Sequence, residues 1–153
     1  MSEPLRIAVL LSGSGTSLEN LFEHIERGAL EARVVVVISS KPDAPGLERA
    51  RVRGVPAFAV PRKEHPDVGE FNDRLHELLD RHAPDVVALL GFLSPFEPRR
   101  SYRSRTLNVH PALIPRHSGK GFYGRRVHEA VLAAGERESG ATVHFVDDEY
   151  DHG

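Results

Sequence analysis

Short apolar runs alternate with longer amphipathic segments along this chain. Residues 5–11 (LRIAVLL) are apolar almost throughout, the pattern of a strand buried on both faces. The run stops at Ser12-Gly13-Ser14-Gly15-Thr16-Ser17, a turn by composition. Leu18, Leu21, Phe22 and Ile25 then recur at helical spacing and predict one apolar helix face. Thr16 and Glu19 have the spacing of a capping box at its start, and Gly28 suits its end. Residues 33–38 contain four consecutive valines and predict a second buried strand.

The alternation continues. Residues 44–53 predict a short helix closed by Gly54, and residues 56–60 a short strand. Pro66 suits a first helical turn, and Val68, Phe71, Leu75, Leu78 and Leu79 give the apolar face of a long helix that ends before Pro84. Residues 85–90 predict another buried strand, residues 94–105 a loop with a short helix, and residues 106–109 a short strand. After a loop over residues 111–124 come a helix marked by Val127, Ala130, Val131 and Ala134 and a last strand over residues 141–146. Strands alternating with helices predict an α/β fold, a doubly wound, mostly parallel sheet with helices on both faces.

Composition narrows the classes. At 153 residues the expectation is one domain, residues 1–153, with enough core to need no staple. There is no cysteine, which excludes disulfides, thiolate metal sites and cysteine nucleophiles. Twenty basic against 22 acidic residues, a net charge of -2, argue against a nucleic-acid partner. No apolar run approaches a membrane span and the N-terminus has no signal-peptide pattern, so a cytoplasmic location is expected. The chain stops at Asp151-His152-Gly153 without a closing helix or strand pattern, so C-terminal elements are expected to be missing.

Three segments carry candidate chemistry. The Ser12–Ser17 turn lies between a first strand and a first helix, where free backbone N–H groups and the helix dipole favour an anion. Leu18 stands where a dinucleotide fingerprint needs its third glycine, no G-K-[ST] follows, and no serine has the glycine spacing of a nucleophile elbow. A small phosphate cradle and a plain tight turn both remain open. Asn108 and His110 are two residues apart on a strand and so share one face. Together they offer an uncharged donor and an acid or base, as acyl transfer requires, or else a capped strand end with a structural histidine. The acidic run Asp147-Asp148-Glu149-Tyr150-Asp151 offers a carboxylate to orient an imidazole, or a solvated loop. The nine histidines include no pair at chelating spacing, so no metal is expected; His24, His65, His76 and His82 read as surface residues.

Taken together, Leu11 to Leu18, Gly46-Leu47-Glu48-Arg49-Ala50, Ala83-Pro84-Asp85, Gly91-Phe92, the block Asn108-Val109-His110-Pro111-Ala112-Leu113-Ile114-Pro115 and Ser139 to Val146 resemble the phosphoribosylglycinamide formyltransferases. Asp151-His152-Gly153 is similar to that family's Asp-x-Gly loop. The resemblance spans essentially the whole chain and implies a Rossmann-like formyltransferase fold. It implies formyl transfer from 10-formyltetrahydrofolate, the co-substrate, to the amine of glycinamide ribonucleotide in purine biosynthesis, without a metal. By position it implies Asn108, His110 and Asp151 as catalytic residues, and Gly15, Thr16 and Ser17 as the acceptor-phosphate loop. Phe92, Leu93, Asp147, Asp148, Glu149 and Tyr150 fall on the walls of the folate pocket. It further implies a cis Ile114–Pro115 bond, and departs from the family at Val68, where a basic residue is usual.

The implied partners are small-molecule substrates, with no nucleic acid or membrane, in a monomer or homodimer. Two other readings stand beside this one. The first is another folate-dependent formyltransferase or a formyltetrahydrofolate deformylase, which would share Asn108, His110 and Asp151. The second is a non-catalytic module that binds a phosphorylated metabolite.

Overall fold

β1 (Leu5–Leu11) coincides with the first apolar run and forms the centre of a parallel sheet. The computed structural model describes residues 3–110 and 142–145. The chain divides into two units, Met1–Phe96 and Glu97–Gly153. The first contains β1, α1 (Thr16–Glu26), β2 (Ala32–Ser39), α2 (Pro45–Val52), β3 (Ala57–Ala59), α3 (Val68–His82) and β4 (Val86–Leu89). Its strands lie in the order β3-β2-β1-β4, every pair parallel. This is the doubly wound, Rossmann-like pattern that alternating apolar runs predict.

The valine run conceals an irregularity. Ile7 pairs with Val34, but Ala8 pairs with Val36, so Val35 is an extra residue in β2. A bulge of this kind reverses the facing of the residues that follow. Val34 and Val37 therefore both join Ile7, Val9 and Leu11 in one core, packed on Leu18 and Phe22 of α1 and Leu47 and Ala50 of α2. Ala8 and Leu10 alternate to the opposite face and are fully buried. α3 packs against β2 and buries Phe71, Leu75, Leu78 and Leu79, which accounts for its apolar stripe.

Helix ends follow the expected signals with two corrections. Gly28, at φ 74°, closes α1: its N–H donates to Ile25 O and that of Ala29 to His24 O, the double bond of a Schellman ending. At the other end the capping box does not form. Gly15 is the N-cap, no side chain caps the helix, and Glu19 is drawn instead to arginines of α2 and its C-cap. Pro66 is likewise outside α3, whose N-cap is Asp67; the Asp67 carboxylate accepts from Glu70 N–H at 2.9 Å. A carboxylate that meets a free N–H outcompetes a proline that offers none.

The second unit contains α4 (Arg99–Tyr102), β5 (Thr106–His110) and β6 (Thr142–Phe145). β5 and β6 are antiparallel, with Asn108 opposite His144 and His110 opposite Thr142. The helix expected near Val127 and the Ile114–Pro115 bond lie outside the described residues. Among the described residues no helix is long and apolar enough to cross a membrane.

Candidate active site

The strand order dictates where a ligand belongs. From β1 the chain winds outward to β2 and β3, then returns to place β4 on the other side of β1. Connections leaving two adjacent strands in opposite directions open a crevice at their carboxyl ends, here β1 and β4. The loops there are residues 12–15 and 90–95.

Ser12 ties these loops together. Its Oγ lies 2.6 Å from Ser40 Oγ, beyond β2, and accepts from Leu93 N–H at 2.9 Å. Its own N–H donates to Gly91 O at 3.1 Å. One buried hydroxyl thus fixes the relative positions of the segments leaving β1, β2 and β4, and a buried hydroxyl so satisfied carries no desolvation penalty.

Beyond Ser12 the chain turns sharply over the start of α2. Gly13 O accepts from Gly46 N–H at 3.1 Å, and Ser14 O accepts from Arg49 Nε at 2.7 Å. Gly15 is left-handed, at φ 77° and ψ 28°, and a Cβ there would lie 2.7 Å from Gly46 Cα. Only glycine satisfies both conditions. The first intrahelical bond of α1 runs from Glu19 N–H to Gly15 O at 2.9 Å, so the N–H groups of Gly15, Thr16, Ser17 and Leu18 precede the helical ladder. Thr16 and Ser17 are exposed.

The start of α1 is held in place by ion pairs. Glu19 bonds Arg53 at 2.7 Å and Arg49 at 3.3 Å, and Arg53 also bonds Glu26 at 2.7 Å while its guanidinium lies 4.5 Å over the Phe22 ring. The hydrogen bonds from Arg53, helped by Arg49, hold the Glu19 carboxyl below its ordinary value near 4.5, and the carboxylates push Arg53 further up. A carboxyl lowered on folding stabilises the fold above its unfolded pKa and loses that contribution as pH falls through the folded value. Glu19→Gln is therefore expected to lower the thermal midpoint at neutral pH, and the gap to wild type should close below about pH 4.5. A gap that stayed constant from pH 7 to pH 3 would contradict this reading.

The second loop is anchored by α3. Phe92 stacks on Phe71 at 6.2 Å between ring centroids, Phe96 stacks on His76 at 5.5 Å, and Asn72 Nδ2 donates to Pro95 O at 3.1 Å. His76 is buried rather than at the surface, because Phe96 covers it. His24, His65 and His82 are half-buried. Leu93 is exposed, while Phe92 is half-buried. Asn72→Ala leaves the Pro95 carbonyl without this donor and opens a hole beside it. It is expected to cost about 1–3 kcal/mol, read as a lower urea midpoint. An unchanged midpoint would remove Asn72 as an anchor.

Of the residues singled out by sequence, Gly15 lies on the loop after β1, Thr16 and Ser17 open α1 directly after it, and Phe92 and Leu93 lie on the loop after β4. Asn108 and His110 fall on β5, two residues apart as expected. Asp147, Asp148, Glu149, Tyr150 and Asp151 lie outside the described residues. Among the described residues no group of three or more His, Asp or Glu could hold a metal ion. Sequence reasoning assigned no role to Ser12, Ser40, Gly46 or Arg49. The signal for the last two was the Gly46-Leu47-Glu48-Arg49-Ala50 block itself.

Comparison with known proteins supplies the context. Residues 5–153 match the formyl transferase family. The chain is 40% identical over 156 residues to the chloroplastic phosphoribosylglycinamide formyltransferase of Arabidopsis thaliana, covering 99% of this chain and 53% of that protein. It is 36% identical over 150 residues to the phosphoribosylglycinamide formyltransferase of Haemophilus influenzae, covering 97% and 68%. The crystal structure of glycinamide ribonucleotide transformylase 1 from Symbiobacterium toebii superposes with a TM-score of 0.88 at 36% identity, over 100% of this chain and 71% of that one. The chain thus spans about half the length of the plant relative and about two thirds of the bacterial ones. With residues 5–153 matching the family and 36% identity to a relative of which it covers 68%, the chain belongs to the phosphoribosylglycinamide formyltransferases of the formyl transferase family.

Proposed function

We propose that this protein transfers a formyl group from 10-formyltetrahydrofolate to the amine of glycinamide ribonucleotide, a step of purine biosynthesis. The observation that supports this most is the turn after β1. It presents uncapped N–H groups at the switch point of the sheet in a chain whose relatives are phosphoribosylglycinamide formyltransferases. The acceptor phosphate would sit on the N–H groups of Gly15, Thr16 and Ser17, which the dipole of α1 favours. Phe92 and Leu93 are assigned to the folate, as are Asp147, Asp148, Glu149 and Tyr150.

The acceptor amine attacks the formyl carbon and a C–N bond forms. The carbonyl oxygen becomes an oxyanion, stabilised by the Asn108 amide N–H and a protonated His110. Asp151 holds that imidazole protonated. The bond from carbon to N10 of the folate then breaks, and the proton lost by the amine reaches N10 through water. No protein nucleophile takes part, and no metal is required. Residues 1–153 act as parts of one formyltransferase domain in this reading, working on small molecules in the cytoplasm as a monomer or homodimer.

Calorimetric titration tests the acceptor half. Glycinamide ribonucleotide should bind at least about a hundredfold more tightly than the same molecule without its phosphate, since several charge-assisted hydrogen bonds are lost with it. Equal affinities would contradict the cradle.

A further inference from the structure

α2 has no assigned role, yet it grips the loop that precedes α1. Two consecutive carbonyls of that loop are turned toward it: Gly13 O to Gly46 N–H at 3.1 Å, and Ser14 O to Arg49 Nε at 2.7 Å. In a planar trans peptide the C=O and the following N–H point in opposite directions. With both carbonyls drawn toward α2, the N–H groups of Ser14 and Gly15 are directed away from it. Gly15 is left-handed and Thr16 helical, the sequence of conformations that gathers successive N–H groups into an anion-binding concavity. The Ser14–Gly15 peptide is the movable part of this arrangement. A half-turn of that peptide would place the Ser14 carbonyl, and its negative end, where the Gly15 N–H now stands.

We infer that Arg49 is a positioning residue for acceptor binding: by holding the Ser14 carbonyl it fixes the Ser14–Gly15 peptide in the orientation that offers Gly15 N–H to the acceptor phosphate. This rests on the reading of residues 15–17 as the phosphate cradle. Arg49 suits the task because its guanidinium is shared. Nε serves Ser14 O while Nη1 meets Glu19 at 3.3 Å, so one side chain registers α2 against both the loop and the first helix. The Arg49 stem also packs on Gly15, its Cδ lying 3.3 Å from where a Cβ of that residue would stand. The arginine acts through the backbone and leaves the chemistry to other groups, so its loss should weaken acceptor binding and spare turnover at saturation.

The test is a titration of the 15N-labelled protein with glycinamide ribonucleotide, following the backbone amide signals of Gly15, Thr16 and Ser17. In the wild type all three should move. In Arg49→Met, which keeps the stem without a donor, and in Arg49→Gln, the dissociation constant should rise about tenfold, as expected for one charge-assisted bond. The Gly15 response should shrink more than that of Ser17. Arg49→Lys should recover part of the affinity, because an ammonium can still reach Ser14 O. Glu19→Gln, which breaks the ion pair and leaves the bond to Ser14, should bind within about twofold of wild type. A folded loss variant with wild-type affinity and an undiminished Gly15 response overturns the role of Arg49 and leaves the cradle standing. A Glu19→Gln protein as weak as Arg49→Met also overturns it, in favour of general helix packing. A wild-type titration in which none of the three amides moves overturns the cradle reading and this inference together.

Discussion

Replacing Asn108 by alanine is expected to lower kcat for formyl transfer by about a hundredfold or more, the usual cost of one donor to a developing oxyanion. In the proposed mechanism the donor acts on charge that appears only in the transition state, so the KM for glycinamide ribonucleotide should change little. His110→Ala should be at least as damaging, because the proposed mechanism gives it the role of a protonated donor. The double variant should be little worse than the worse single one, since groups that act on one oxyanion lose their effect together. Each protein should keep its unfolding midpoint within a few degrees. Steady-state kinetics beside thermal melting reads all of this. An Asn108→Ala enzyme with near-normal kcat would remove that residue from the chemistry.

Gly15→Ala is expected to be the most damaging substitution in the first unit. Its left-handed backbone costs an L side chain about 1 kcal/mol. Its new methyl would stand 2.7 Å from Gly46 Cα, and a backbone atom cannot rotate out of the way. The two effects together amount to roughly 2–4 kcal/mol of stability. The same shift would push α1 away from α2 and spread the N–H groups of the proposed phosphate cradle. Gly13→Ala is the control, because a Cβ there meets nothing within 4 Å. Urea unfolding of the two variants should separate them clearly; equal midpoints would mean that the turn yields where the packing says it cannot.

Much of the fold was legible because apolar runs and helical spacing are local. Leu5 to Leu11 reads as a strand from its own composition, and Gly28 marks a helix end because only glycine easily turns left there. The elements missed are those decided at long range. The extra residue at Val35 depends on pairing with β1, and four valines in a row look alike to any periodicity. Glu19 has the right spacing to cap α1, but Arg53, distant in sequence, offers a stronger partner. His76 reads as exposed on a helical wheel until Phe96 covers it.

The candidate site divides the same way. The free N–H groups of the Ser12–Ser17 turn were legible because a strand, a Ser/Gly turn and a helix in sequence leave such groups wherever they occur, while the assignment of Gly15, Thr16 and Ser17 to a phosphate came from the family resemblance. Asn108 and His110 were legible as a pair because alternation on a strand is local. Ser12 and Arg49 were not, because each acts on a carbonyl or amide belonging to another segment. Ser12 reaches residue 93 and Arg49 reaches residue 14, and only the strand order brings those segments together.

The most direct test of the proposed activity follows the formyl carbon itself. The protein is mixed with glycinamide ribonucleotide and 10-formyltetrahydrofolate carrying a labelled formyl group, and the products are separated. The expected result is label in the formylated ribonucleotide, one tetrahydrofolate released for each formyl transferred, and loss of both on His110→Ala. Label released as free formate at the same rate with or without the ribonucleotide would contradict it and indicate a deformylase. A protein that binds both substrates yet moves no label would contradict it as well and leave a binding module.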